Sequence, residues 1–345
     1  MNRKKIVWMI ISLILAGLSI FAVVSQSKTF SVEMFYNDIV NAKIGWVICA
    51  VVSMMGFIIF EGLAIHCIVR GIMGKVRHRD CFLYSASDIY FSAITPSATG
   101  GQPASAFFMM RDGIPGPVVT VALILNLVMY TLALLVIGIV SLVFRPSILV
   151  EFGFLSKLFI LAGAVVILAL AVFFVMLLKK ERIVYSFADK AIRLGGKLHL
   201  IRHVDRKLDK LHKTMGDYKE AVKIAHGKSD MLIKAFVYNV LQRLSIISVT
   251  VFVFLATGGW PSRVFSVWAV QSFTTIGSNC VPIPGAMGVA DYILIDGLET
   301  IPEIASPANL ELFSRSLSFY CMIIISALVT LVGYIAQKRR LKKKR

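Results

Sequence analysis

The chain has 345 residues, of which 57% are hydrophobic and 16% charged, and its formal net charge is +18. Several apolar runs are long enough to cross a hydrocarbon layer roughly 30 Å thick. Because the basic residues cluster at the ends of these runs, the positive charge does not indicate nucleic-acid binding. The composition excludes an ordinary soluble domain and predicts an all-α polytopic integral membrane protein.

Six full transmembrane helices are predicted. The first, over 6–25, can also be read as a signal peptide, but its apolar stretch is too long and lacks a small-x-small cleavage site, which favours a retained span. The other five are expected at 44–69, 117–144, 156–178, 231–257 and 312–336. Two further apolar regions, 82–111 and 264–297, are interrupted by Pro and Gly and are too short for two crossings each.

The Lys and Arg residues decide the orientation if each interrupted region enters the membrane and returns to the side it came from. Most of the 37 basic residues then fall on one face, including those of 179–228 and 338–345. The positive-inside rule assigns that face to the cytoplasm. The opposite face holds the acidic Glu299, Glu303 and Glu311. We therefore predict a multi-pass plasma-membrane protein with both termini in the cytoplasm.

This topology divides a single integral membrane domain, 1–345, into two halves of opposite orientation. The first half, 1–148, contains the hairpin 82–111, and the second half, 149–345, contains the hairpin 264–297. Each half reads span, span, hairpin, span, which is the inverted-repeat organisation of many secondary transporters. Two opposed re-entrant helical hairpins are thus expected at its centre.

The stretch 179–230 is the only sizeable polar segment. Its apolar residues are interspersed among many Lys and Arg, which predicts a basic amphipathic loop on the anionic cytoplasmic leaflet. A solvated charged linker is the alternative reading. The predicted partners are membrane phospholipids, and the sequence leaves open whether the protein forms a homodimer.

The five cysteines are scattered and form no CxxC pair, so neither a disulfide framework nor a zinc site is expected. The sequence contains no other convincing metal-ligand spacing. We predict no metal and no cofactor.

The first hairpin is broken by the sequence TPSATGGQP and the second by VPIPGAMG. Lipid cannot satisfy free backbone N–H and C=O groups, so these breaks must be buried in protein or line a wet cavity. Each break precedes a helix whose N-terminus would point into the membrane. Because helix N-termini carry partial positive charge, two converging ones predict a site for a phosphate-bearing substrate. A pair of Pro-kinked or Gly-packed helices is the alternative.

Ionisable residues at membrane depth usually face a cavity or a partner. Arg243, near the middle of the fifth span, is the clearest case, whereas Arg315 either joins the site or extends to the interface. Three acids, Glu61, Asp88 and Asp291, are expected to bind a cationic headgroup, to couple transport to protons or to pair with the arginines. The residues predicted to bind substrate from the breaks and spans are Thr95, Pro96, Ser97, Gly100, Gly101, Gln102, Gln242, Arg243, Pro284, Gly285 and Arg315.

The segments ITPSATGGQPASAF and VPIPGAMGVADY, at this separation in a polytopic chain, resemble the transmembrane region of the lysylphosphatidylglycerol synthases, the multiple peptide resistance factors. The resemblance covers about 5–337. It implies a flippase that moves aminoacylated phosphatidylglycerol between leaflets, and it adds the basic residue Arg111 to the substrate-binding set. No counterpart of the soluble aminoacyl-transferase domain follows the last span, so the resemblance implies transport without synthase activity and leaves the lipid open.

Two other functions remain. An intramembrane lipid-modifying transferase would need a catalytic acid, base or metal set in one pocket, whereas the sequence offers only dispersed carboxylates. A membrane scaffold could recruit partners through its basic loop, but it has no need of two symmetric broken hairpins. A lipid flippase is the prediction that uses both breaks and the intramembrane charges.

Overall fold

The computed structural model describes residues 32–95, 98–179, 227–279, 281 and 283–342, together with scattered positions between 185 and 223. The predicted first span, 6–25, and most of the predicted basic loop, 179–230, lie outside the described residues. So do Pro96 and Ser97, two of the predicted substrate-binding residues. The fold of the described part is all-α.

In chain order, the helices of the described part are α1 (Val32–Val40), α2 (Ile44–Met73), α3 (His78–Ala93), α4 (Gly101–Arg111), α5 (Gly116–Phe144), α6 (Pro146–Glu151), α7 (Phe154–Lys179), α8 (Ser229–Ala256), α9 (Val264–Ser278), α10 (Val289–Glu299), α11 (Pro307–Arg315) and α12 (Met322–Lys342). A π-helical turn, Ser316–Cys321, joins α11 to α12. A single 3₁₀ turn, Pro284–Ala286, precedes α10.

Five helices are long and apolar enough to cross a membrane: α2, α5, α7, α8 and the continuous α11–α12. They correspond to the five predicted spans that fall on described residues, which confirms a multi-pass membrane protein. The central pair is α2 and α8, which pack along each other. At Gly56 on α2 an added Cβ would lie 2.9 Å from the Ser245 hydroxyl of α8, so the small residue allows close approach of the two backbones.

An amide pair joins α8 to α5. The side chain of Asn239 donates a 3.1 Å hydrogen bond to the Asn126 carbonyl oxygen. Polar side chains inside a membrane bundle satisfy each other in this way.

Four shorter helices form two broken hairpins. Helices α3 and α4 pack on each other, and so do α9 and α10. The four helices have 16, 11, 15 and 11 residues. At a rise of about 1.5 Å per residue each is about 16 to 24 Å long, which is too short for a hydrocarbon layer of roughly 30 Å.

The open end of the first hairpin is tied to the last helix. Arg340 on α12 forms an ion pair with Asp80 in the first turn of α3 at 2.8 Å and another with Asp112 directly after α4. The Tyr84 hydroxyl also donates to Asp112. These contacts hold the start of α3 and the end of α4 beside each other.

At the open end of the second hairpin, a residue just before α9 bonds to a residue that follows α10. Arg263, directly before α9, donates a 2.8 Å hydrogen bond to Glu303, which follows α10. This bond lowers the pKa of the Glu303 carboxyl, since it stabilises the charged form. Glu303 precedes α11 and Arg340 ends α12, so the open ends of the two hairpins adjoin opposite ends of the same span.

The two breaks meet in the middle of the bundle. Helix α3 packs on α12, helix α9 packs on α5, and the turn 284–286 of the second break contacts α3. Among the described residues, the non-glycine residues with positive φ are Ala98 and Ala286, one in each break. This backbone conformation is strained for an L-residue and is held by its surroundings.

Candidate functional site

A polar cavity of about 630 Å³ lies where the two breaks meet. Its walls come from α2, α3, α4, α5, α7 and α8, from both breaks, and from the π-helical turn and the start of α12. The polar residues lining it are Glu61, Asp88, Ser92, Thr99, Gln102, Asn126, Tyr130, Thr131, Asn239, Gln242, Arg243 and Asn279. A second cavity of about 420 Å³ shares Arg243, Tyr130 and Asn279 with it.

Arg243 stands between these two cavities and is only 8% exposed. Its guanidinium group lies over the ring of Tyr130, with 4.4 Å from Cζ to the ring centroid, and over the ring of Phe57 at 4.8 Å. Its Nε donates a 3.4 Å hydrogen bond to the side-chain oxygen of Gln242. Within the described chain it forms no ion pair, although the Glu61 carboxyl in the same cavity is close enough to interact with it electrostatically.

Gln242 separates this arginine from the nearest acids. Its amide nitrogen donates a 3.1 Å hydrogen bond to Glu61, while its oxygen accepts from Arg243. Asp88 lines the same cavity and accepts from the Ser92 hydroxyl at 3.1 Å. One side of the cavity is therefore cationic and another side anionic, with an amide between them.

The tip of the first hairpin is shaped by Thr95 and two glycines. The Thr95 hydroxyl accepts a 2.8 Å hydrogen bond from the Gly100 backbone N–H and donates to the Phe91 carbonyl. At Gly101 an added Cβ would lie 2.0 Å from side-chain oxygens of Asp88 and Ser92. The start of α4 therefore rests directly on α3, and its first turn, which contains no acidic residue, carries Gln102 into the cavity wall.

The tip of the second hairpin differs from the first in its electrostatics. Asp291, in the first turn of α10, accepts a 2.9 Å hydrogen bond from the Gly288 N–H and so already supplies negative charge at that N-terminus. The sequence analysis expects both helix N-termini to serve the substrate. The N-terminus of α10 is therefore capped by its own carboxylate, and the role of both N-termini toward a substrate stays a prediction.

A separate buried cluster lies behind the second tip. Arg315 forms a 2.7 Å ion pair with Asp291 and donates to the Gly285 carbonyl oxygen at 3.1 Å, so it does not extend to an interface. Glu311, expected on the far aqueous face, is instead 1% exposed and adjoins this pair. Sequence reasoning missed it; its place one helical turn before Arg315 was the available signal.

The structure brings together part of the predicted site: Glu61, Asp88, Gln102, Gln242, Arg243 and Gly285 line the same cavity. Arg111 lies at the outer end of α4, stacked over Tyr334 at 4.6 Å, and does not line the cavity. Pro284 opens the 3₁₀ turn of the second tip. The predicted acids are divided: Glu61 and Asp88 share the main cavity, whereas Asp291 belongs to the Arg315 cluster.

An apolar groove of about 540 Å³ is lined by residues of α5, α6, α7 and α9. On α5, Tyr130 lines the cavity and Leu134, one turn later, lines the groove. On α7, Leu170 lines the cavity and Ile167 the groove. The polar and apolar spaces therefore run along the same faces of the same two helices.

A multi-pass helical membrane protein with a charged cavity at its centre and an apolar groove beside it is the class that the fold and site define. The family model for the lysylphosphatidylglycerol synthase transmembrane region matches residues 9–326. The chain belongs to this family, which implies a role connected with membrane lipid. Comparison with curated proteins and with solved structures found no match in either case.

Proposed function

We propose that this protein is a flippase that moves a phosphate-bearing, possibly aminoacylated, lipid from one membrane leaflet to the other and has no synthase activity of its own. The observation that carries the proposal is the buried Arg243, which faces the polar cavity. Arginine hydrogen bonds to phosphate are charge-assisted and strong, and the guanidinium of Arg243 lines the cavity without an ion pair to a carboxylate of the described chain. A phosphate group would therefore suit this site.

The rest of the lipid fits the adjoining walls. Glu61 and Asp88 lie in the same cavity and would attract a cationic group such as the amine of an aminoacylated headgroup. The apolar groove between α5 and α7 would receive acyl chains while the headgroup occupies the cavity. A free polar metabolite has no need of that groove, so the combination favours a lipid.

Re-entrant hairpins and an inverted repeat belong to the same proposal. Opposed re-entrant segments would enter the membrane from opposite faces. The two short-helix hairpins fit this requirement, because their open ends adjoin opposite ends of one span. The packing of α3 on α12 and of α9 on α5 relates the two halves in the same crosswise manner. Movement of one half against the other would then expose the Arg243 cavity to each leaflet in turn.

Reconstitution into liposomes tests the proposal. Wild-type protein should accelerate transbilayer movement of fluorescent phosphatidylglycerol or of its lysylated derivative. Arg243→Ala should slow that movement roughly 10- to 100-fold, since a hydrogen bond to a charged group is worth about 1.5–3 kcal/mol. Arg243→Lys should restore it only partly, because lysine keeps the charge but not the planar fork or the stacking.

The matched control is Arg263→Ala, which removes an arginine from the partly exposed pair with Glu303 outside the cavity. This variant should move lipid at the wild-type rate. Equal rates in protein-containing and empty liposomes, or an unaffected Arg243→Ala, would refute the proposal. Appearance of a covalently altered lipid would instead favour the transferase alternative.

A further inference from the structure

We propose that Glu311, Asp291 and Arg315 form a binding site for one small monovalent cation, a proton or a sodium ion. The site stands on its own geometry; only its coupling to lipid movement rests on the proposed function. It is separate from the Arg243 cavity, but Gly285 borders both.

The charges of this cluster do not balance. Asp291 and Glu311 are each 1% exposed, and the only cation of the cluster is Arg315, which is ion-paired with Asp291 at 2.7 Å. Both carboxylate oxygens of Glu311 are buried, and the side chain within hydrogen-bonding reach of them is the Asp291 carboxyl, which can donate only if a proton is present. With both acids ionised, the cluster would keep one uncompensated negative charge, which is costly in a buried site. One bound monovalent cation removes it.

The space for that cation is a cavity of about 150 Å³. It is lined by Glu311, Arg315, Thr250, Gln271, Thr274 and Ser314, among others. The Thr250 hydroxyl donates to the Gln271 side chain and the Thr274 hydroxyl donates to the Val270 carbonyl. Because their protons are already engaged, these hydroxyls present lone pairs to the cavity. Oxygen lone pairs around a carboxylate suit a hard cation.

The other titratable groups around α11 do not change this balance. From α10 the facing group is Asp291, from α11 itself Arg315, and from the π-helical turn the neutral phenol of Tyr320. On α1, Asp38 accepts a hydrogen bond from Asn309. Helices α8 and α9 contribute only uncharged side chains to the cavity wall.

A link from this site to the Arg243 cavity runs through the second tip. Arg315 donates to the Gly285 carbonyl, and Gly285 also lines the two cavities beside Arg243. Neutralising Glu311 would change the attraction between Asp291 and Arg315 and thereby the position of the tip. Cation binding and exposure of the lipid site would be coupled through this segment.

Thermal unfolding of the purified full-length protein tests the site directly. For sodium, NaCl should raise the melting temperature of the wild type by several degrees relative to choline chloride at equal ionic strength. If the bound cation is a proton, lowering the pH from 8 to 5 should raise the melting temperature, and sodium should have no additional effect. Glu311→Gln should lose either response and should melt like the cation-saturated wild type, because the uncompensated charge is gone.

Two variants make the result decisive. Glu299→Gln removes a carboxylate from an exposed position at the end of α10 and should respond as the wild type does. Ser314→Ala keeps Glu311 and removes a buried hydroxyl oxygen, so it should weaken the sodium response several-fold and leave a proton response unchanged. Identical cation and pH responses in the wild type and Glu311→Gln would overturn the proposal, as would a wild type with neither response.

The lipid assay separates this proposal from the proposed function. In liposomes, a sodium or pH gradient should change the rate of lipid movement by the wild type but not by Glu311→Gln. Cation-dependent melting without any lipid movement would leave the site standing and refute the flippase. Lipid movement without a cation response would support the flippase and refute the cation site.

Discussion

At the scale of single residues, the charged cavity depends on side chains that keep opposite charges apart. Gln242 bonds to Arg243 on one side and to Glu61 on the other, so the guanidinium and the carboxylate are held in one wall without pairing. The rings of Tyr130 and Phe57 hold the guanidinium from its faces and leave its edge available. The cavity wall therefore carries a cationic and an acidic side chain on either side of one amide.

Gly101→Ala tests whether close packing of the first tip matters. The added Cβ would collide with Asp88 and Ser92 at 2.0 Å and with the Asp88 carbonyl oxygen at 2.6 Å, so α4 must move away from α3. We expect a loss of stability of about 1–3 kcal/mol, seen as a lower melting temperature, together with slower lipid movement.

The control for this variant is Gly116→Ala at the start of α5, where an added Cβ meets nothing within 4 Å. It should leave the melting temperature unchanged or slightly higher, since alanine favours a helix. A Gly101→Ala protein with wild-type stability would show that the tip tolerates the displacement.

At the scale of elements, the two breaks have similar shapes and different electrostatics. Each contains a strained alanine, Ala98 or Ala286, and each precedes a helix of 11 residues. In the first tip the Thr95 hydroxyl accepts from the Gly100 N–H and the acid beside the start of α4 is Asp88 of α3, whereas in the second tip Asp291 of α10 itself accepts from the Gly288 N–H. The acid at the first tip thus lines the Arg243 cavity, whereas the acid at the second tip pairs with Arg315.

Gly285→Ala tests the role of the second tip. Gly285 has φ of 61°, and an added Cβ would lie 2.4 Å from the Phe319 ring. The variant combines backbone strain with a collision against the π-helical turn, so it should displace the tip that borders both sites. We expect lipid movement to fall at least roughly tenfold, beyond what the loss of stability explains.

Gly258→Ala is the matched control, because Gly258 also has positive φ, 92°, but an added Cβ there meets nothing within 4 Å. It should cost about 1–2 kcal/mol of stability through backbone strain alone and leave lipid movement near the wild-type rate. Equal effects of the two variants on transport would mean that strain, and not the position of the tip, accounts for the loss.

At the scale of the whole molecule, separate parts of the chain depend on one another for their charge balance. Arg340, near the end of α12, bonds to Asp80 and Asp112 at the two ends of the first hairpin. Gln337, one turn earlier, donates to the Phe108 carbonyl of α4. The last span therefore holds the first hairpin closed at its open end, although the two belong to different halves of the sequence.

Arg340→Ala should release this end. Both acids would lose their only ion pair in the described chain, and we expect about 1–3 kcal/mol of destabilisation, less at high salt because the group is partly exposed. Melting temperatures in low and high NaCl measure the effect. Arg339→Ala, which removes the exposed neighbouring charge, should be close to neutral; equal shifts for both would exclude a specific tie.

The sequence by itself determined the membrane-spanning class, the five spans and the two breaks. Long apolar runs and clustered charges are local properties of the sequence, and they determine directly which segments enter a bilayer. Pro and Gly interrupt a helix wherever they stand. Arg243, Gln242 and Glu61 could be chosen from sequence for the same reason, since polar residues at membrane depth are rare and costly.

Only the tertiary structure decided which charges share a site. The burial of Glu311 follows from the packing of α11 against α8 and α10. Asp291 pairs with Arg315 and does not lie with Glu61 in the main cavity, and Arg111 stacks on Tyr334 outside that cavity. Both contacts depend on distances between different helices, which a local sequence pattern does not give. Local patterns can place a charge in the membrane, but the fold selects its partner.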